Sequence, residues 1–180
     1  MRILLHICCG NCAIYPVKML RAQNHKISGY FYNHNIHPYQ EFSRRLETTR
    51  QYAAQTGLAV VYDEEYRLEE YLAAVAHDPS SRCEYCYQSR LQATAQEAKR
   101  LGFDGFTTTL LYSRYQDHQA IVAYGEKLAA ESGLSFHYED YRVGWNEGIK
   151  ASKELGLYRQ QYCGCIYSEK ERYAPRKKTS

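Results

Sequence analysis

The sequence predicts a doubly wound α/β domain built on a sheet of parallel strands. Short apolar runs that read as buried strands alternate with longer stretches in which apolar residues recur every three or four positions. Gly, Pro and Asp-Pro-Ser-Ser punctuation separates the two kinds of segment. The length, 180 residues, suits one compact domain with a real core and is short for two.

Arg2–Ile7 (RILLHI) is apolar enough for a strand covered on both faces. A loop with Cys8, Cys9, Gly10 and Cys12 follows, then a helical stretch from about Ala13 to Gln23. Ile27–Tyr32 reads as the second strand and runs into the polar loop Asn33–His37. Pro38 suits the first turn of a helix because its φ is already fixed. Phe42, Leu46 and Ala53 mark the inner face of that helix, Arg44, Arg45 and Arg50 fall away from it, and Gly57 closes it. Leu58–Tyr62 gives a third strand, Leu68–His77 a helix, and Asp78–Ser81 a turn. Cys83 and Cys86 stand at the entrance to a helix reaching Gly102, with Leu91, Ala95, Ala98 and Leu101 facing inward. Phe103–Leu111 is the expected fourth strand, Gln119–Ser132 a helix and Leu134–Tyr138 the fifth strand. Loop and helix around Gly144–Gly156 precede Cys163–Gly164–Cys165. The expected organisation is a single catalytic domain over residues 1–167 and a basic tail over 168–180.

Composition narrows the class. An apolar fraction of 44% and a charged fraction of 24% are ordinary for a globular protein. No apolar run approaches the roughly 20 residues that a membrane span needs. The first residues lack the long apolar region and small-residue cleavage site of a signal peptide. The expected location is therefore the cytoplasm, without membrane contact. In that reducing compartment the seven cysteines are poor candidates for structural staples and good ones for metal ligation or redox chemistry. The net charge of +3 resides in the tail, where Lys170, Arg172, Arg176, Lys177 and Lys178 face only Glu169 and Glu171. A basic tail can meet a phosphate backbone, and the 19 tyrosines can stack on unpaired bases, although most tyrosines are packing residues.

In a sheet of this kind ligands bind at the carboxyl ends of the strands, near the point where the strand order reverses. Cys8–Cys12, Asn33–His37, Tyr112–His118 and Glu139–Gly144 would all open onto that edge. The first loop has neither GxGxxG nor a Walker pattern, so no nucleotide site is indicated.

Three cysteine clusters carry the chemistry. Cys83 and Cys86, spaced Cys-x-x-Cys at a helix start, form either a metal clamp or a dithiol, since the positive end of the helix dipole favours thiolate in both uses. At a strand end Cys8 and Cys9 can turn into one space. With Cys83 and Cys86 they would supply the four sulfurs of a cubane cluster, or equally of a tetrahedral zinc. Cys163–Gly164–Cys165 can close only a small, tight ring, which suits a labile two-electron couple, or it supplies further metal ligands. Cys12 lies within reach of the same space as Cys9, either as a replacement ligand or for a second metal. Among the histidines, His6 reads as a packed core residue, whereas His34, His37 and His118 sit in edge loops and could donate protons near neutral pH. Asp117, Asp140, Arg114 and Arg142 share that edge and either orient a polar substrate or cap neighbouring helices.

Leu5-His6-Ile7-Cys8-Cys9 with Cys12, Phe31-Tyr32-Asn33 with Asn35-Ile36-His37-Pro38, and Arg82-Cys83 with Cys86-Tyr87 and Arg90-Leu91 resemble the cobalamin-independent epoxyqueuosine reductases of the QueH type. So do Gly102-Phe103-Asp104 with Phe106–Leu111, Ser152-Lys153-Glu154 with Gly156–Gln160, and Tyr162–Cys165 with Tyr167-Ser168. The matches run in order from Leu5 to about Glu171. Asn11, His34 and Arg114 stand where that resemblance leads one to expect proline.

The resemblance implies a Rossmann-like fold similar to the nucleotide α-hydrolases. It also implies reduction of epoxyqueuosine to queuosine in a tRNA anticodon loop, the last step of queuosine biosynthesis. A [4Fe–4S] cluster on Cys8, Cys9, Cys83 and Cys86 and a redox-active Cys163–Cys165 pair are further implications. Removing the epoxide oxygen needs two electrons and two protons. On this reading an additional iron near Cys12 polarises the oxygen, or Asp117 or His118 protonates it. Arg44, Arg45, Lys177 and Lys178 are the expected phosphate contacts, and an unidentified electron donor is required. Two other readings stand beside it: a zinc-stabilised RNA-binding module, and a thiol–disulfide oxidoreductase acting through Cys163 and Cys165.

Overall fold

A computed structural model describes residues 1–175. Lys177 and Lys178, expected as phosphate contacts, lie outside the described residues. The strands are β1 (Arg2–Ile7), β2 (Lys26–Phe31), β3 (Val60–Tyr62), β4 (Gly105–Thr108) and β5 (Ser135–Phe136). The helices are α1 (Gly10–Ala22), α2 (Tyr39–Thr56), α3 (Leu68–Val75), α4 (Arg82–Arg100), α5 (His118–Ser132), α6 (Trp145–Glu154) and α7 (Ile166–Tyr173).

The five strands form one sheet in the order β3-β2-β1-β4-β5, and every pairing is parallel. This is the Rossmann-like order that the alternation of strand and helix predicts. β1 lies at its centre, and its side chains divide between two layers. Ile3, Leu5 and Ile7 pack on Ala13, Val17 and Leu20 of α1 and Tyr52 of α2. Leu4, on the opposite face, packs with Phe106 and with Leu91, Ala95 and Ala98 of α4. The period of two along a strand makes this division, and burial on both faces explains why RILLHI lacks polar alternation.

Several boundaries differ from the sequence expectation for local reasons. α1 begins at Gly10, so Cys12 lies in its first turn and not in a loop. β4 ends at Thr108, because the Thr108 hydroxyl accepts from Leu110 N at 3.1 Å and turns the chain into a short 3₁₀ helix, Thr109–Tyr112. α7 carries the helical structure past residue 167 into the expected basic tail, as far as Tyr173. None of that helix's residues is buried, so apolar periodicity gave no sign of it.

α1 and α2 touch closely at Gly10, where an added Cβ would stand 2.4 Å from the Thr48 carbonyl oxygen. That oxygen belongs to the backbone and cannot swing aside. Gly10→Ala should therefore cost about 1–3 kcal/mol through overpacking, read as a lowered urea midpoint. An unchanged midpoint would show that the two helices part there without strain.

Candidate metal and redox centre

The carboxyl ends of β1 and β4 are where the chain diverges to opposite sides of the sheet, and the thiols gather there. Cys8 follows β1, Cys9 is the extended residue that precedes α1, and Cys12 is in the first helical turn. Their three Sγ atoms lie within 4.8 Å of one another, and no other three His, Cys, Asp or Glu ligand atoms do so among the described residues. Cys9 and Cys12 Sγ are 2.9 Å apart, and Cys8 Sγ is 4.0 Å from Cys9 Sγ. Thr109 braces Cys8, accepting from its backbone N–H at 3.2 Å and donating to its sulfur at 3.3 Å. Gln160 closes the other side, where its Nε2 donates to Cys12 Sγ at 3.1 Å and its Oε1 lies 3.3 Å from Cys9 Sγ.

Hydrogen bonds from Cys12 and Cys9 hold the Cys8 thiol well below its ordinary pKa. Burial pushes Cys9 up, and the hydrogen bond to Cys8 does the same for Cys12. The neighbouring thiols thus favour the anionic form of the Cys8 sulfur. Three sulfurs facing one space are a donor set for a thiophilic metal, and these residues fit such a group.

The other four cysteines are drawn from α4 and the segment before α7. Cys83 and Cys165 are on facing elements, and each of Cys83, Cys163 and Cys165 acts electrostatically on Cys86. Burial pushes the Cys86 thiol up to about 12 against the pull of Arg90. Arg90 is itself buried and donates to Cys86 Sγ at 2.8 Å and to the Cys86 carbonyl at 3.0 Å. Its guanidinium also lies within electrostatic reach of Cys163 and Cys8. Cys163 is exposed and accepts from Gln116 Nε2 at 3.2 Å, whereas Cys165 is buried against Tyr71 and Val75. All seven cysteines are free thiols, and no Cys163–Cys165 disulfide is formed.

The segment Tyr162–Cys165 is held by polar contacts. Arg45 donates to the carbonyls of Cys163 at 2.8 Å and Tyr162 at 2.9 Å while pairing with Glu41 at 2.7 Å. Its side chain is 1% exposed, so Arg45 is a buried clamp and not the surface phosphate contact expected from sequence. His37 N donates to Gly164 O at 2.8 Å, and His37 Nδ1 accepts from Ile166 N at 3.3 Å. Gly164 has φ +152°, a conformation that side-chain-bearing residues rarely adopt.

His6 is the packed core residue expected, bonded through its ring to Thr108 Oγ1 at 2.9 Å and Tyr32 O at 3.1 Å. His34 and His37 overturn their reading as proton-donating loop residues. Both are buried, and burial lowers their pKa values to about 3 and about 4. Each is neutral at pH 7. Asp117 caps α5 by accepting from Ala120 N at 3.0 Å, and His118 Nε2 lies 3.3 Å from the Tyr138 hydroxyl. Asp140 pairs with Arg142 at 2.6 Å. Sequence reasoning assigned no role to Arg90, Thr109, Gln160 or Gln116. The signal for Arg90 was its place one helical turn beyond Cys86, on the same face.

A family model described as epoxyqueuosine reductase QueH matches residues 3–171. The chain belongs to the QueH family. An epoxyqueuosine reductase QueH from Dehalococcoides mccartyi is 40% identical over 172 residues, covering 96% of this chain and 94% of that one. One from Thermotoga maritima is 36% identical over 180 residues, covering 94% and 91% respectively. In fold, the chain resembles the crystal structure of a predicted subunit of tRNA methyltransferase from Methanocaldococcus jannaschii. The TM-score is 0.60 at 12% identity, over 86% of this chain and 75% of that one. The match to the QueH family spans all three cysteine clusters.

Two outcomes follow from the buried polar groups. In the unfolded chain His34 and His37 take up protons below about pH 6.5, while the folded state excludes them down to about pH 3 and 4. Stability should therefore fall between pH 6.5 and 4.5, by roughly 2 kcal/mol for each histidine. Urea unfolding at pH 7 and 4.5 measures this, and a flat profile would contradict it. Arg45→Leu leaves Glu41 buried without its cation and should cost about 3–5 kcal/mol. Thermal unfolding of the variant indistinguishable from wild type would refute the clamp.

Proposed function

We propose that this chain is an iron–sulfur oxidoreductase that reduces epoxyqueuosine to queuosine in the anticodon loop of tRNA. The observation that carries the reading is the gathering of the Cys8, Cys9 and Cys12 sulfurs within 4.8 Å of one another at the switch point of a parallel sheet. Membership of the QueH family supplies the substrate.

The proposed ligands of a [4Fe–4S] cluster are Cys8, Cys9, Cys83 and Cys86. Cys12, packed against Cys9, offers a further sulfur to the cluster or to an additional iron beside it. When bound, the cluster supplies electrons one at a time. The remaining chemistry belongs to the chain. Cys163 and Cys165 close a disulfide, giving up two electrons and two protons. The epoxide carbons accept the electron pair as both C–O bonds break and a C=C bond forms, and the oxygen leaves as water with the two protons. An external electron donor then reopens the disulfide. Cys163 is exposed and Cys165 is not, so Cys163 is the sulfur that faces substrate or donor.

Proton delivery to the oxygen falls to His118 in preference to Asp117, whose carboxylate already caps α5. Arg90 and the N-terminus of α1 balance negative charge at the sulfurs. An anticodon loop suits such a site because its bases unstack at low cost. Arg44, exposed on α2, is the expected phosphate contact that stays available.

No helix among the described residues is long and apolar enough to cross a membrane. The donor set of Cys8, Cys9 and Cys12 also suits zinc, and the exposed Cys163 suits protein dithiol exchange. Anaerobic purification distinguishes the first, since iron and sulfide are expected and zinc in a colourless protein would sink the reading. Reconstitution with epoxyqueuosine-containing tRNA and a low-potential reductant, followed by nucleoside analysis, should yield queuosine. Cys163→Ser with Cys165→Ser should abolish turnover at unchanged iron content. Loss of iron in that variant would overturn the division between ligands and redox pair.

A further inference from the structure

Three arginines at the carboxyl edge of the sheet join no ion pair among the described residues, and two of them lie on aromatic rings. Arg114, in the loop after β4, stands over the Trp145 ring at 5.5 Å. Arg44 of α2 stands over Tyr158 at 5.7 Å. Arg159 follows Tyr158, and both it and Arg114 lie within electrostatic reach of the Tyr112 hydroxyl, which Cys12 and Cys9 also influence. Tyr112, on which Trp145 stacks, packs in the same cluster as Cys9 and Cys12, so the Arg114 ring pair adjoins the thiol site. Gln160, the next residue along, touches Cys9 and Cys12 directly.

Both ring partners, Trp145 and Tyr158, are half-buried. Tyr115 is 83% exposed and packs edge-on to Trp145 at 5.8 Å, while the inner face of Trp145 stacks on buried Tyr112 at 5.2 Å. A guanidinium laid over a ring that is packed from beneath, with an exposed tyrosine at that ring's edge, offers a cation and an open aromatic face to flat, unpaired rings attached to anions. Single-stranded nucleic acid has this chemistry, because its bases present π-faces and its phosphates present charge. Arginine suits both parts, since it pairs with phosphate and stacks on rings. Double-stranded RNA would offer the phosphates without the open bases.

We propose that Arg114, Tyr115 and Trp145, together with Arg44, Tyr158 and Arg159, form the docking surface for an unpaired RNA loop. This rests on the proposed function and names the residues that would hold its substrate. Arg159 adjoins Gln160, which touches Cys9 and Cys12, and Trp145 packs against the cluster that holds both cysteines, so a loop held by these residues would bring a nucleotide near the thiols.

Trp145 is the only tryptophan, and its intrinsic fluorescence therefore reads this surface directly. The test titrates the full chain with an RNA hairpin carrying an anticodon-type loop, and with the same RNA annealed into a continuous duplex. Binding is followed in parallel by the anisotropy of labelled RNA. The hairpin should quench Trp145 and the duplex should not. Tyr115→Ala should weaken hairpin binding by about tenfold, with an unchanged melting midpoint. Arg114→Gln and Arg159→Gln should each reduce the slope of log K against log salt by about 0.7, and Arg114→Lys should restore it. Hairpin binding that none of these variants alters would overturn the surface while leaving an RNA substrate intact. A wild-type chain that binds no hairpin at all would overturn both, and would turn the band toward an acidic protein partner.

Discussion

Strand β1 has water on neither face, and that burial determines where the chain can do chemistry. With Ile3, Leu5 and Ile7 committed to one helical layer and Leu4 to the other, the strand can present reactive groups only beyond its end. There the chain must turn at once into α1, because Gly10 brings that helix against the backbone of α2. Cys8, Cys9 and Cys12 occupy that forced turn. Their proximity is a consequence of packing on both sides of the sheet, and a looser junction would let the sulfurs part.

The second half of the centre is assembled differently. The segment from Tyr158 to Tyr173 contributes little to the apolar core, and α7 buries none of its residues. It is tied down through Arg45, His37 and Gln160 by hydrogen bonds to carbonyls and sulfurs. Bonds of this kind fix position and direction, which apolar contacts do less sharply. They also leave Cys163 at the surface while Cys165 is enclosed, an asymmetry that two thiols separated by one glycine would not have in an extended chain.

Buried cations recur through these contacts and are resolved in two ways. Arg45 is balanced by the Glu41 carboxylate. Arg90 donates to the Cys86 sulfur and lies within electrostatic reach of Cys163 and Cys8, so negative charge at those sulfurs balances it. The electrostatics of the centre and its proposed cofactor are in this sense one problem, since the guanidinium favours negative charge at the sulfurs whether or not metal is bound.

The run RILLHI, the turn residues Pro38 and Gly57, and the amphipathic stripe of α2 are local features, and they sufficed for the parallel sheet and nearly all of its elements. The cysteine clusters and the family likeness were equally legible, because both depend on residue type and spacing alone. Burial of polar residues was not. Arg45 sits on the stretch of helix that looks polar, and His34 and His37 sit in a loop, yet each is enclosed by segments more than thirty residues away in sequence. The same limit applies to the sulfurs. Sequence named all seven as the reactive set, but which of them share a space was decided by the tertiary structure, which packs Cys12 with Cys8 and Cys9 and sets Cys83 and Cys86 facing Cys163 and Cys165. Those meetings are settled by where β1, α4 and the C-terminal segment come to rest against one another, and no spacing along a chain encodes the distance between its ends.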